Sequence, residues 1–216
     1  VKLGFSFMAR VVFFIDGFNL FHALDYFPSG SNPARFHRFK WISLRRLAMC
    51  FLTKRNSLEG VLYFTTLATW DPAKVARHRL FIRAQENEGV EVVYGEFKRK
   101  DKRCLICGKR FWTYEEKQTD VNIALRLFQN AVLNRYDRAV IVSGDTDLIP
   151  AVDAVRSTFP GKALGVLLPI GRASEHFKQI ADFHYKMKER HLATARLPDA
   201  LTLRDGTILH CPPRWR

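Results

Sequence analysis

Short apolar runs alternate with longer amphipathic ones along this chain. RVVFFI (10–15), GVLYFTTL (60–67), VEVVYGEF (90–97), AVIVSG (139–144) and KALGVLLP (162–169) are rich in β-branched and aromatic residues and read as buried strands. Helical spacing fills the intervals. Phe18, Leu20, Phe21 and Leu24 follow the first strand, and WISLRRLAMCFL (41–52) keeps Leu44, Leu47, Ala48 and Phe51 on one face. Pro72 opens a helix that Gly89 ends, Thr119 is the candidate N-cap of a helix over 119–136, and Pro150 sits in the first turn of TDLIPAVDAVRSTF. SEHFKQIADF (174–183) is the last clear helix. Strands and helices in this alternation predict an α/β domain over 8–187, with three layers and a parallel sheet covered on both faces. The tail, 188–216, reads as a small C-terminal extension in which Asp205-Gly206 turns a hairpin. PSGSNPARFHRFK (28–40) is a polar, basic loop with two prolines.

Composition narrows the class. Of 216 residues, 47% are apolar, including 18 Phe, so a large core is available and wholesale disorder is excluded. A net charge of +14 favours nucleic acid or another anionic surface as partner. No apolar run reaches the roughly 18 residues of a membrane helix. Arg10 interrupts the opening segment and Asp16 ends it, which argues against a signal peptide; Met8 is the more natural start, with residues 1–7 an upstream extension. Four cysteines in a chain of this length are no disulfide framework, and a reducing cytoplasm is the expected compartment.

Four aspartates stand out against this basic background, each where a predicted strand or its following segment runs out. They are Asp16 in FFIDGFN, Asp120 in EKQTDVNIA, and Asp145 with Asp147 in VSGDTDLIP. Singly, each has a plain structural use: an Asx turn for Asp16, a first-turn helix acid for Asp120, helix caps for Asp145 or Asp147. Together they can meet outside the carboxyl ends of the strands, where open parallel sheets gather ligands. Carboxylates gathered in one pocket repel one another unless a cation lies between them.

The segments FFIDGFNLFHAL, EEKQTDVNIALRL and VSGDTDLIPAV, in this order, resemble the three signature segments of the NYN domain family, part of the PIN-like nuclease superfamily. The resemblance covers about residues 10–185. It implies a PIN-like α/β fold and metal-dependent ribonuclease activity, with RNA as partner. Asp16, Asp120 and Asp145 would be direct ligands of Mg²⁺ or Mn²⁺. Asp147 would hold a second ion or position water, and Asn19 and Ser143 would orient carboxylates or bind phosphate. Oxygen donors suit these hard cations, whose charge offsets the negative charge that builds on a phosphodiester during hydrolysis. The same fold could serve as a non-catalytic RNA-binding module, or act on DNA or small phosphate esters. A dinucleotide-binding domain is disfavoured, because an acid stands in IDGFNL where a glycine-rich phosphate loop belongs.

The basic residues form three groups. The helix from Pro72 offers Arg77, and the insert 98–118 offers Lys98, Arg99, Lys100, Arg103 and Lys117 just before Asp120, all candidates for nucleic-acid contact. In the early loop Arg35, His37, Arg38 and Lys40 interleave with Phe36, Phe39 and Trp41, either as base-stacking groups or as a loop anchored to the core. Cys104-Leu-Ile-Cys107-Gly108 looks like one knuckle of a zinc ribbon. No second pair is apparent, which leaves three readings: a zinc half-site completed by distant residues or by a second subunit, a redox pair, or plain loop cysteines. A homodimer is one way to complete it.

Overall fold

The protein's structure, a computed structural model, describes residues 8–25 and 34–216. Residues 1–7, expected to be an upstream extension, residues 28–33 of the predicted loop and the side chain of Arg35 lie outside the described residues. The elements run β1 (Ala9–Asp16), α1 (Gly17–Asp25), α2 (Ala34–His37), α3 (Leu44–Met49), β2 (Asn56–Thr65), α4 (Pro72–Asn87), β3 (Glu91–Tyr94), β4 (Glu96–Arg103), β5 (Arg110–Lys117) and α5 (Thr119–Val132). They continue β6 (Arg138–Val142), α6 (Ile149–Thr158), β7 (Ala163–Leu168), α7 (Glu175–Ile180), β8 (Phe183–Lys186), α8 (Glu189–Ala195), β9 (Ala200–Thr202) and β10 (Ile208–His210).

Six strands form one parallel sheet in the order β3-β2-β1-β6-β7-β8. Alternation along each strand sends side chains to opposite faces. Val11, Phe13 and Ile15 join Leu20 of α1, Leu44 of α3, Phe81 of α4 and Leu192 of α8 in one core. Val12 and Phe14 face Ile123 and Leu127 of α5, Val152 of α6 and Phe177 of α7 in the other. Three layers follow, because each face of the central strands is apolar and must be covered. Each fully buried Phe or Leu contributes about 1.5–3 kcal/mol of transfer free energy, so these two cores dominate the stability.

Local signals explain most boundaries. Asp71 caps α4 by accepting from Lys74 N at 2.9 Å, with Pro72 in the first turn. The helix expected over 41–52 shrinks to α3, because Ser43 caps it from an extended backbone and accepts from Arg46 N at 2.9 Å. Trp41 and Ile42 stay outside, and the Trp41 indole donates to Pro198 O at 2.8 Å. Phe36, Phe39 and Trp41 are 8%, 1% and 0% exposed, so the early loop's aromatics are core anchors and not base-stacking surfaces.

Two features escaped the pattern of apolar residues. The basic insert is an antiparallel hairpin, β4 against β5, outside the main sheet. The chain also adds a sixth strand, β8, just after the helix α7. It has only four residues, and its position depends on Asp182, which accepts Leu164 N at 2.7 Å. The hairpin around Asp205-Gly206 forms as β9–β10, and Leu203, Leu209, Cys211 and Trp215 pack into the α1/α4 core. Among the described residues no helix is long and apolar enough to cross a membrane.

Candidate active site

The strand order reverses between β1 and β6: later strands add outward from β1 on one side and from β6 on the other. A crevice opens at such a switch point outside the carboxyl ends of the strands. β1 ends at Asp16, and Ile15 pairs with Val142, so Asp16 stands level with Ser143 across the two strands. The register makes the contact: Ser143 Oγ donates to Asp16 Oδ2 at 2.9 Å, and Asn19 N, in the first turn of α1, donates to Asp16 Oδ1 at 2.9 Å. Gly144 N then donates to Asn19 Oδ1 at 3.1 Å, and Asp145 N to Ser143 Oγ at 3.0 Å. Asn19 and Ser143 thus stitch the two strand ends together and orient Asp16. Gly17 permits the abrupt start of α1, since a Cβ there would lie 2.5 Å from the Tyr63 ring and 2.6 Å from Phe64 O.

Asp145 does cap the 3-10 turn over Thr146–Leu148, accepting from Asp147 N at 3.0 Å through Oδ1. The cap does not exclude a place at the crevice, since Asp145 also raises the Asp16 carboxyl. Asp147 lies exposed on the same turn. Asp120 arrives from a third segment. The expected N-cap, Thr119, is the first helical residue, and Gln118 holds the cap position in the left-handed region at φ 76°. Thr119 N donates to Glu116 Oε1 at 3.1 Å instead. This turn costs on the order of 1 kcal/mol in a non-glycine residue and leads directly into Asp120 in the first turn of α5.

Electrostatics link the acids. Asp16 is 4% exposed, and its carboxyl is pushed up to about 6 by burial; Asn19 and Ser143 oppose the rise, while Asp120 and Asp145 add to it. Asp120 is also raised to about 6, first by burial and then by Asp145, Glu116 and Asp147. Charges that shift one another in this way share a locality. Among the described residues, however, no three Asp, Glu, His or Cys side chains stand close enough together to share one ion.

A cavity of about 410 Å³ opens beside the crevice, lined from Gly17 and Phe18 through Tyr63 and Arg77 to Trp215. His78 in its wall is held down to about 4 by burial, then by Lys74, so its ring is neutral. Its Nε2 lies 3.1 Å from Thr65 Oγ1 and 3.3 Å from Tyr63 Oη. Arg77 lines this cavity. Lys98, Arg99, Lys100, Arg103 and Lys117 all lie on the hairpin, where several are already engaged. Lys98 pairs with Glu96 at 3.3 Å, Lys100 and Lys117 with Glu115, and Arg99 lies 3.7 Å over the Trp112 ring. Arg103 donates to Gly108 O at 3.1 Å. Glu115, surrounded by Lys100, Lys102 and Lys117, is pulled down to about 2.

Glu116 and Arg172 were not singled out from the sequence, and the cavity that His78 and Trp215 line was not read from it. Arg172 follows β7 at the same sheet edge and would lie 3.5 Å from a Cβ on Gly144. Its place after a strand end was a usable signal, as was the acid run Glu115-Glu116 inside a basic insert. Nothing in the sequence placed His78 or Trp215 at a cavity, because the cavity is made by packing of distant segments.

Known proteins agree with this architecture. One curated relative, the 6-hydroxy-3-succinoylpyridine 3-monooxygenase HspA of Pseudomonas putida, is 34% identical over 109 residues. That match spans 48% of this chain and 34% of the relative, so the chain covers about a third of that protein's length. A crystal structure of a protein of unknown function from Vibrio parahaemolyticus superposes with a TM-score of 0.53 at 19% identity, covering 85% of this chain and 95% of that one; this likeness is of fold. Residues 10–188 match the NYN domain. That span takes in every strand of the six-stranded sheet and all three aspartate-bearing turns, and the chain belongs to the NYN domain family, with its PIN-like, nuclease-type fold.

Proposed function

We propose that this protein is a metal-dependent ribonuclease whose centre is formed by Asp16, Asp120 and Asp145, with Asp147 at its rim. NYN nucleases generally use divalent metals. The donors here fit a hard cation in kind: all are carboxylates, and burial first, with mutual repulsion adding to it, raises Asp16 and Asp120 to about 6. Asp16, Asp120 and Asp145 would hold Mg²⁺ or Mn²⁺. When bound, such an ion lowers the pKa of water and offsets charge growing on the phosphate. Ser143 and Asn19 fix the Asp16 carboxylate through their two hydrogen bonds, which spares reorganisation at the moment of reaction. The basic hairpin would guide the strand, and the cavity, with Phe18, Tyr63 and Trp215 in its walls and Arg77 at its side, would receive a nucleotide next to the scissile bond.

What supports this reading most is the charge coupling at the β1/β6 switch point, where Asp120 and Asp145, from two other chain segments, both raise the buried Asp16 carboxyl. A non-catalytic RNA-binding module is the second reading, favoured by the absence, among the described residues, of three donors already close enough for one ion. Incubation with a mixed RNA pool and Mn²⁺, with EDTA and Asp145→Asn as controls and DNA in parallel, separates the two. Cleavage that requires metal and Asp145 supports the nuclease; RNA binding without any cleavage overturns it.

A further inference from the structure

The β4–β5 hairpin is a ribbon registered from Glu96 opposite Lys117 to Arg103 opposite Arg110. Its tip is built more tightly than a solvent loop requires. Cys104 N donates to Lys109 O at 2.8 Å, Gly108 N donates to Cys104 O at 2.9 Å, and Gly108 adopts φ 70°. The Cys104 thiol is held below its ordinary value by the backbone of Cys107 and Ile106 and then by the Cys107 side chain. Two cysteines on one tight turn, with a glycine after the second, have the shape of half a tetrahedral thiolate site. Such a turn supplies two ligands where zinc takes four. Among the described residues nothing completes the set. Cys211 is 1% exposed inside the core, and all four cysteines are free.

The tip has a second property. Leu105 and Ile106, between the two cysteines, are 101% and 98% exposed, although neither has a polar group to justify it. A closed two-fold contact puts the same patch on both sides of the axis, which supplies two more sulfurs and covers these two side chains together. We propose that two copies of the chain join tip to tip and share one Zn²⁺, held by Cys104 and Cys107 of each copy, with Leu105 and Ile106 packed across the axis. Charge is consistent with this. Arg103, Lys109 and Arg110 would repel their symmetry mates across a bare interface. Four thiolates around Zn²⁺ carry a net charge of −2, which places an anionic centre among those cations.

The test uses the whole chain, purified without a polyhistidine tag in a reducing buffer. Metal analysis and light scattering are expected to give one zinc per two chains and twice the monomer mass. Chelation should halve the mass and zinc, added back, should restore it. Cobalt substituted for zinc should give the visible spectrum of a tetrahedral four-thiolate site. The double variant Cys104→Ser/Cys107→Ser should be metal-free and monomeric, with unchanged far-UV circular dichroism showing that it folds. Less than about a tenth of an equivalent of zinc per chain would overturn the proposal. So would one zinc per monomer, or a dimer that survives chelation.

Discussion

Replacing Asp16 with Asn should stabilise the metal-free protein at pH 8 while removing its activity. Asp16 is 4% exposed, and its carboxyl is raised from 3.8 to about 6, chiefly by burial. A raised carboxyl means that the folded chain holds this proton more tightly than the unfolded chain does. The stabilising contribution is complete below about pH 4 and is lost as the pH rises through about 6. Two pH units at about 1.4 kcal/mol each put the cost of the ionised group at about 3 kcal/mol above that range. Asn has the same shape without the charge. Its Oδ1 can still accept from Asn19 N, but its amide would face the Ser143 hydroxyl, whose proton then loses its acceptor at a cost of about 1 kcal/mol. The variant should therefore be about 2 kcal/mol more stable at pH 8 and about 1 kcal/mol less stable near pH 4. Urea unfolding in EDTA across this range, followed by tryptophan fluorescence, reads the difference. Mn²⁺ should then stabilise the native chain at pH 8 and leave the variant unmoved. A variant no more stable than the native chain at pH 8, or a difference independent of pH, would refute the account of Asp16 as a buried, strained carboxylate.

Asp145→Asn and Asp120→Asn should each lower metal-dependent RNA cleavage on the order of a hundredfold or more while keeping the native circular dichroism, read in a labelled-RNA assay. Ser143→Ala removes one of the two hydrogen bonds that hold Asp16 ionised, so the acid limb of the cleavage pH profile should move upward and the rate at pH 6 should fall about tenfold. Gly17→Ala should cost at least about 2 kcal/mol in chemical unfolding, because its Cβ would meet the Tyr63 ring and a backbone carbonyl. Removing Lys98 and Lys117 together should weaken RNA binding and flatten its salt dependence by up to about two units of slope; an unchanged slope would place the phosphates elsewhere.

The central sheet was legible in the chain because it is buried on both faces. RVVFFI, GVLYFTTL, AVIVSG and KALGVLLP carry almost no polar residues, and that pattern has few other uses. The helix from Pro72 was equally plain, since Asp71 and Pro72 mark its start locally. Elements fixed by distant partners were not legible. β8 is four residues aligned by pairing with β7, and the basic hairpin alternates too weakly to announce itself. The aromatics of 36–41 looked the same whether they stacked on bases or filled a core, and only packing against the rest of the chain decided for the core.

The same division holds at the site. The identity of the acids, their position after strand ends and the order of the three segments belong to the primary structure. Tertiary structure alone decided that β1 lies beside β6. That adjacency sets Asp16 level with Ser143, brings Asp120 and Asp145 near enough to raise its pKa, and lets α4 and the C-terminal Trp215 enclose a cavity beside it. The physical reason is range. Caps, turns and strand propensity act over a few residues and can be read locally, whereas burial and charge coupling depend on which segments meet in space.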